Sequence, residues 1–253
     1  MTASILSSLG AGFSNQALGS QAVFRAVLQA LAHPGRSVAV LHDAQTPAVG
    51  QRASAAVLLA LLDSDCRLWL SPRLAASDAG PWLRFHTGCT LVSEPGLAGF
   101  AWVAQGDALP ALRSLAQGSD SDPDRSATCV VDVALAGAGA VAVPADAGTL
   151  TAPADAGASR VPVGAGASRA PAGAGALQAP AGAGAWLLTG PGIRGQATLP
   201  PCGLAHDFVP QWQANHAAFP CGVDLLLGGA AHIVGLPRTT RIVRTPHDTT
   251  EEI

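Results

Sequence analysis

The feature that most constrains the fold is a long segment of small residues in the second half of the chain. Between residues 137 and 185 the sequence consists almost entirely of Ala, Gly, Pro, Ser and Val. Side chains this small bury too little apolar surface to offset an ordering cost of about 1–2 kcal/mol per residue. Its near-repeats have no regular period, which argues against a packed repeat domain. We therefore predict a disordered Ala/Gly/Pro-rich insert.

The residues that flank this insert indicate where it lies in the fold. Residues 128–135 and 186–189 are apolar runs that predict two strands of a β-hairpin with an expanded turn. Such an expansion costs little, because the closure entropy of a loop grows only with the logarithm of its length. We expect one domain over residues 1–253, with the insert at 137–185 and a flexible tail at 245–253.

Outside the insert, helical and extended periodicities alternate, which predicts an α/β domain with a mixed sheet covered by helices. The clearest helix is residues 21–32, with Ser20 as N-cap and His33-Pro34-Gly35 at its end. Further helices are predicted at 51–62, 109–117 and 207–216. Strands are predicted at 37–41, 66–70, 99–103, 222–227 and 232–236, the last two as a hairpin about Gly228-Gly229.

The charged residues exclude several classes of protein. All fourteen residues in the Lys+Arg count are Arg. A P-loop nucleoside triphosphatase and a pyridoxal phosphate enzyme each need a Lys, so neither chemistry can belong to this chain alone. A net charge of −3 offers no basic field for a nucleic acid.

Cysteine usage and the apolar runs bear on location. The five cysteines are widely spaced and form no C-x-x-C pair, which indicates a reducing compartment. Residues 1–19 carry no positive charge and fail as a secretory signal. The densest apolar run, residues 53–62, is about half the roughly 20 residues that span a bilayer. We expect a cytoplasmic protein that does not contact the membrane.

Two segments could contact an anion. Arg84 and His86 lie two residues apart and would share one face if their segment were extended. The alternative is structural, with Arg84 in an ion pair and His86 capping the next loop. Arg238, Thr239 and Thr240 combine a guanidinium with hydroxyls, which suits phosphate or phosphonate oxygens or a subunit contact. The alternative there is a solvated strand end.

Other chemistries have little support. The G-x-G-x-x-G pattern at residues 190–195 follows a strand, but Pro200-Pro201 stands where a phosphate-binding helix would begin, so we predict a tight hairpin turn. His206, His216 and His232 lack the spacing of metal ligands. We expect no cofactor and no metal site, and we identify no catalytic residue.

Four phrases in the sequence resemble those of one known family. Residues 24–35 carry F-R-x-x-L-x-A-x-x-x-P-G, residues 83–87 carry L-R-F-H-T, and residues 188–193 carry L-T-G-P-G-I. Residues 219–240 contain F-P, G-V-D-L and L-P-R-T-T in that order. Together they resemble the PhnH family, in which a short turn replaces the insert.

The resemblance implies a three-layer α/β/α sandwich, similar to the large domain of pyridoxal phosphate transferases but without that cofactor. It implies a homodimer that joins PhnG, PhnI and PhnJ in the core complex of carbon-phosphorus lyase. That complex forms ribose 1-alkylphosphonate 5-triphosphate from ATP and an alkylphosphonate, and PhnJ carries the iron-sulfur cluster. The chain would then be an accessory subunit, with a phosphonate or nucleotide at an interface and Arg84, His86 and Arg238 as contacts. Two alternatives stay open: an independent small-molecule enzyme, and a stand-alone phosphonate- or nucleotide-binding protein.

Overall fold

The helices and strands come from a computed structural model that describes residues 9–135 and 185–244. In those residues the helices are α1 (Gln16–Ala32), α2 (Arg52–Leu61), α3 (Pro72–Ala75), α4 (Ala79–Thr87) and α5 (Phe208–Ala217). The strands are β1 (Ser37–Ala39), β2 (Arg67–Leu70), β3 (Thr90–Val92), β4 (Phe100–Val103), β5 (Thr128–Asp132), β6 (Trp186–Thr189), β7 (Ala197–Leu199), β8 (Asp224–Gly228), β9 (His232–Leu236) and β10 (Arg241–Arg244). No helix in this part of the chain is long and apolar enough to cross a membrane.

The strands form two sheets. The larger has seven strands in the order β1-β9-β8-β5-β4-β2-β3, and the smaller has the order β10-β6-β7. From β8 to β3 all neighbours in the larger sheet are parallel, whereas β9 is antiparallel to both of its neighbours. The smaller sheet is antiparallel throughout. The prediction of an α/β fold with a mixed sheet is therefore confirmed.

Alternating side chains of the central strands build a core on each face of the larger sheet. Trp102, Val130 and Leu226 point to one face, where they pack with residues of α1, α2 and α4. Their strand neighbours point to the other face, where they pack with α5 and with the smaller sheet. The described part of the second covering layer is thus partly β-structure.

Helix α1 begins five residues earlier than the sequence pattern predicts. Asn15 is its N-cap, and the Oδ1 atom of Asn15 accepts a hydrogen bond of 3.0 Å from the backbone N–H of Leu18. Asn is among the strongest N-caps, so this cap prevails over Ser20, which lies inside the helix. The predicted end is confirmed, because His33 is the C-cap.

The helix predicted at residues 109–117 is wrong. Only Leu112–Ser114 forms a 3-10 turn there. The side-chain amide of Gln117 donates to the carbonyls of Leu112 and Leu115, at 2.7 and 2.8 Å. Those carbonyls are held by a side chain instead of by the next turn of a helix, and Gln117 itself pairs with Ser126 in an isolated β-bridge.

The hairpin predicted across the insert is also wrong. Strand β5 lies between β4 and β8 in the larger sheet, whereas β6 lies between β10 and β7 in the smaller one. An apolar, β-branched run is typical of a central parallel strand that is buried on both faces. Strand β5 is such a strand. Except for Ala185, the predicted insert lies outside the described residues, and so does the tail at 245–253.

Both other predicted turns are confirmed. Strands β8 and β9 pair antiparallel, as predicted for the closing hairpin. Strands β6 and β7 also pair antiparallel around the G-x-G-x-x-G segment, so that segment is a hairpin turn. Gly192 in this turn has φ +82°, and a Cβ there would lie 2.1 Å from the carbonyl oxygen of Ala32. The turn therefore packs closely against the end of α1.

Candidate functional site

A cleft lies where the parallel strands of the larger sheet end. In open α/β sheets, ligands bind in the crevice outside the carboxyl ends of the strands. Here α3, the loop after β4, the end of β5 and the segment that leads into α2 line an open space of 550 Å³. Its lining residues are Ala48, Val49, Gly50, Gln51, Arg73, Ala104, Gln105, Gly106 and Asp132.

A buried carboxylate lies at the base of this cleft. Asp132 is the last residue of β5 and only 3% of its surface is exposed. Its Oδ1 accepts a 2.9 Å hydrogen bond from Nε1 of Trp102, and its Oδ2 accepts a 3.0 Å bond from the backbone N–H of Gln51. Burial raises the pKa of the Asp132 carboxyl above its usual value. The buried Ser54 hydroxyl also lies close enough to act on the carboxylate as a donor, which opposes part of that rise.

The loop before α2 lies directly on the Trp102 indole. Gly50 has φ +100°, and a Cβ there would lie 2.3 Å from the Cζ2 atom of Trp102. Both the left-handed backbone and the missing side chain therefore require Gly. The close approach carries Gln51 over Asp132, where its backbone N–H reaches the carboxylate.

The rim of the cleft carries a guanidinium. Arg73 is exposed, and its Nη1 donates a 2.7 Å hydrogen bond to the carbonyl of Gln105. The Nε2 of Gln51 donates to Oε1 of Gln105 at 3.1 Å. Asp107 accepts bonds from the backbone N–H of Arg73 and the hydroxyl of Ser71, at 2.9 and 2.6 Å, and so fixes the start of α3. Within the described residues, the other guanidinium N–H groups of Arg73 have no recorded partner.

These groups are suited to binding. A carboxylate accepts O–H and N–H donors, and a guanidinium binds oxyanions through charge-assisted hydrogen bonds. In residues 9–135 and 185–244, no three His, Cys, Asp or Glu side chains come together as a set that could hold a metal ion.

Arg84 and His86 lie in the last turn of α4, so the extended geometry considered for them is wrong. At 100° per residue they point about 200° apart, to opposite sides of the helix. The Nε2 of His86 and the Nε1 of Trp82 both donate to the carbonyl of Gly10, at 2.9 and 2.8 Å. His86 thus ties the chain before α1 to α4, whereas the exposed guanidinium of Arg84 has no recorded partner in the described part of the chain.

Arg238 is used within the fold. Its guanidinium bonds to the carboxylate of Asp224, with an Nη2–Oδ2 distance of 2.7 Å, and to the hydroxyl of Ser126. Nη1 donates to the carbonyls of Pro123 and Pro220, at 3.0 and 3.1 Å. The side chain is 13% exposed, so it is not a solvated strand end. These contacts join β9 to the starts of β5 and β8, on the opposite edge of the sheet from the cleft.

The two threonines after Arg238 differ in exposure. Thr239 is partly exposed. Thr240 is fully buried, and its carbonyl accepts a 2.7 Å hydrogen bond from Nε1 of Trp212. Arg84 and His86 thus lie on α4, whereas Arg238, Thr239 and Thr240 lie between β9 and β10, and no recorded hydrogen bond or ion pair within residues 9–135 and 185–244 joins the two groups.

The cleft residues were not predicted from the sequence. The available signal was the position of Asp132, a lone carboxylate at the end of an apolar, β-branched run, where a parallel strand would place it at the ligand-binding edge. Arg73 and Gln105 carry no such signal, because a short helix after β2 and a loop after β4 bring them to the same edge.

Comparison with known proteins shows which family the sequence resembles. The family model described as "Bacterial phosphonate metabolism protein (PhnH)" matches residues 11–243. A protein of Rhizobium meliloti (strain 1021), named alpha-D-ribose 1-methylphosphonate 5-triphosphate synthase subunit PhnH, is 32% identical over 232 residues. That similarity covers 92% of this chain and 94% of the relative. The family match includes every residue of the cleft.

Proposed function

The chain belongs to the PhnH family of bacterial phosphonate metabolism proteins, and from that premise we propose that it is a subunit of an alpha-D-ribose 1-methylphosphonate 5-triphosphate synthase. The observation that carries this proposal is the extent of the similarity, which reaches nearly end to end in both proteins. Its role is accessory: it supports the coupling of an alkylphosphonate to the ribose of ATP, in a cytoplasmic complex with PhnG, PhnI and PhnJ homologues.

The likeness to the large domain of pyridoxal phosphate transferases belongs to the same proposal. A seven-stranded mixed sheet with α1, α2 and α4 on one face supports it. A pyridoxal phosphate enzyme binds its cofactor through a Lys, and this chain has none, which supports a role without that cofactor.

Arg84 is the residue we propose for contact with a partner subunit. Its guanidinium is exposed, and the neighbouring Phe85 side chain is 58% exposed. An exposed Arg beside an exposed aromatic ring is a composition enriched in interface hot spots. His86, Thr239 and Arg238 would support this contact or a second one indirectly, because the donors of His86 and Arg238 are already used inside the fold.

We also propose that the chain forms a homodimer through α1. One side of this helix carries a stripe of residues at spacings of three and four, which therefore lie next to each other. The stripe consists of Ala17, Gln21, Phe24, Leu28 and Leu31. The first four are exposed, with Phe24 at 46% and Leu28 at 50%. Arg25 is the only charged residue in the 17-residue helix. A largely apolar stripe without charge suits contact with its own copy, because a two-fold axis brings the same surface patch of both subunits together.

Co-purification tests the subunit proposal. A tagged full-length chain, co-expressed with the PhnG, PhnI and PhnJ homologues of the same organism, is expected to recover all three. Arg84→Glu should weaken that recovery, whereas Arg113→Glu, a charge reversal at another exposed position in the 3-10 turn, should not. If the homologues are not recovered and the chain alone turns over a phosphonate or nucleotide, the chain is an independent enzyme. If the chain alone binds a phosphonate or a nucleotide saturably without turning it over, the chain is a stand-alone binding protein.

A further inference from the structure

We infer that the cleft at the carboxyl ends of β2, β4 and β5 binds a phosphorylated ribose, with Asp132 accepting sugar hydroxyls and Arg73 holding the phosphate. This inference takes the chemical class of its ligand from the proposed function. The location and the role of each residue follow from the described cleft. Its space of 550 Å³ lies within the range of small-ligand pockets, about 300–1,000 Å³.

The Asp132 end of the cleft favours a hydroxyl-bearing ligand. The bonds from Trp102 and Gln51 fix the plane of the carboxylate, and the buried Ser54 hydroxyl lies close enough to act on it as a third donor. Of the four lone pairs of the carboxylate, at least one stays available to a ligand hydroxyl. A bare phosphate would be repelled there by the carboxylate, whereas a sugar hydroxyl can donate a hydrogen bond to it. Sugar hydroxyls thus match this end by charge and by geometry.

The rim favours an oxyanion. The guanidinium of Arg73 is anchored by one bond to the Gln105 carbonyl, so it is positioned while other N–H groups stay available. Charge-assisted N–H···O bonds to phosphate are about twice as strong as neutral ones. The Nε2 amide of Gln105 has no recorded partner within residues 9–135 and 185–244, and it can add a neutral donor beside the guanidinium.

The cleft offers no platform for a nucleobase. None of its nine lining residues is aromatic. Stacking of a base on an aromatic ring is worth about 1–3 kcal/mol, and that contribution is missing here. Ribose 5-phosphate should therefore bind about as tightly as AMP.

Calorimetry on the full-length chain, alone and in any complex with which it co-purifies, tests the inference with four probes: ribose 5-phosphate, AMP, ribose and inorganic phosphate. We expect saturable binding of the first two with similar affinity, and affinities lower by at least about tenfold for ribose and for inorganic phosphate. Because Trp102 bonds directly to Asp132, binding should also change the tryptophan fluorescence. Equal affinity for ribose 5-phosphate and inorganic phosphate, or no saturable binding of any probe, would overturn the inference.

Variants of the cleft test the contacts to the phosphate and to the sugar separately. Arg73→Gln, at an exposed position, should weaken ribose 5-phosphate by at least about tenfold and leave ribose unaffected. Asp132→Asn should weaken both. Should Asp132→Asn fail to fold, Arg73→Gln and Gln105→Ala still test the phosphate end, with Arg113→Gln as the control that keeps full affinity. A chain that recovers its partner subunits but binds no probe would refute this inference and leave the proposed function standing. A chain that binds ribose 5-phosphate but recovers no partner would support the inference and refute the proposed role as a subunit.

Discussion

The Nε1 atom of Trp102 donates a 2.9 Å hydrogen bond to Oδ1 of Asp132, from one central strand to the next. Trp102 is the register partner of Val130, and Asp132 lies two residues farther along β5, on the same face of the sheet. The largest side chain of β4 therefore supports the only carboxylate at the end of β5, and both lie beneath the loop that leads into α2.

Trp102→Phe should destabilise the protein more than Trp69→Phe. The first change removes a donor from a buried carboxylate and leaves a small cavity, together about 2–3 kcal/mol. Trp69 is only partly buried, and no hydrogen bond to its indole is recorded in the described part of the chain, so its loss should cost less. Urea unfolding followed by circular dichroism measures both. Equal losses would mean that the bond to Asp132 contributes nothing measurable.

The stability of the wild-type chain should depend on pH through Asp132. Burial raises the pKa of this carboxyl, so the folded state holds its proton more tightly than the unfolded state does. The free energy of unfolding should therefore fall as pH rises from the usual Asp value of 3.8 through the raised value. Asp132→Asn cannot titrate and should lose this component. Denaturant melts across that interval, compared with those of Asp65→Asn at an exposed position, will show whether the component belongs to Asp132.

Much of the fold was predictable because local signals and tertiary packing agree there. The end of α1 at His33 and the β8–β9 hairpin each coincide with a strong local signal. The predictions fail where contacts with residues far away in the sequence determine the local structure. The segment that contains Gln117 is held by side-chain bonds instead of a helix, and β5 pairs with strands that are far away in the sequence.

The candidate site was less predictable for the same reason. Arg84 and His86 are neighbours in sequence, but a helix turns them to opposite sides. Arg73 and Asp132 are distant in sequence, yet they line one cleft because β2, β4 and β5 end at the same edge. Only the sheet order, which depends on non-local pairing, brings them together.

Arg238→Ala should cost about 3 kcal/mol of unfolding free energy, because it leaves the Asp224 carboxylate without its cation and frees the carbonyls of Pro123 and Pro220. Arg113→Ala, at an exposed position, should stay within about 0.5 kcal/mol of wild type. Thermal and urea unfolding provide the comparison. If the Arg238 variant is as stable as wild type but no longer recovers its partners, Arg238 is a subunit contact after all.

His86→Ala should loosen the segment before α1. The variant loses one of the two donors to the Gly10 carbonyl, which is worth about 1 kcal/mol, and Trp82 keeps the other. Hydrogen exchange should become faster at Ala11 and Gly12. Arg84→Ala changes an exposed side chain two residues away and should leave that exchange unchanged. Identical exchange in both variants would show that the histidine does not hold the segment.

Replacing apolar residues on the stripe of α1 should dissociate the proposed homodimer. Phe24→Glu with Leu28→Glu places two carboxylates on a surface that meets its own copy, so the carboxylates of both copies would repel each other within one interface. The wild-type chain should elute as a dimer in size-exclusion chromatography with light scattering, and the variant as a folded monomer with unchanged circular dichroism. Gln29→Glu adds a charge to the same helix at an exposed position about 100° away from Leu28 and should remain dimeric. A wild-type monomer, or a dimer that survives both glutamates, would exclude α1 as the interface between copies and leave the stripe available to another subunit.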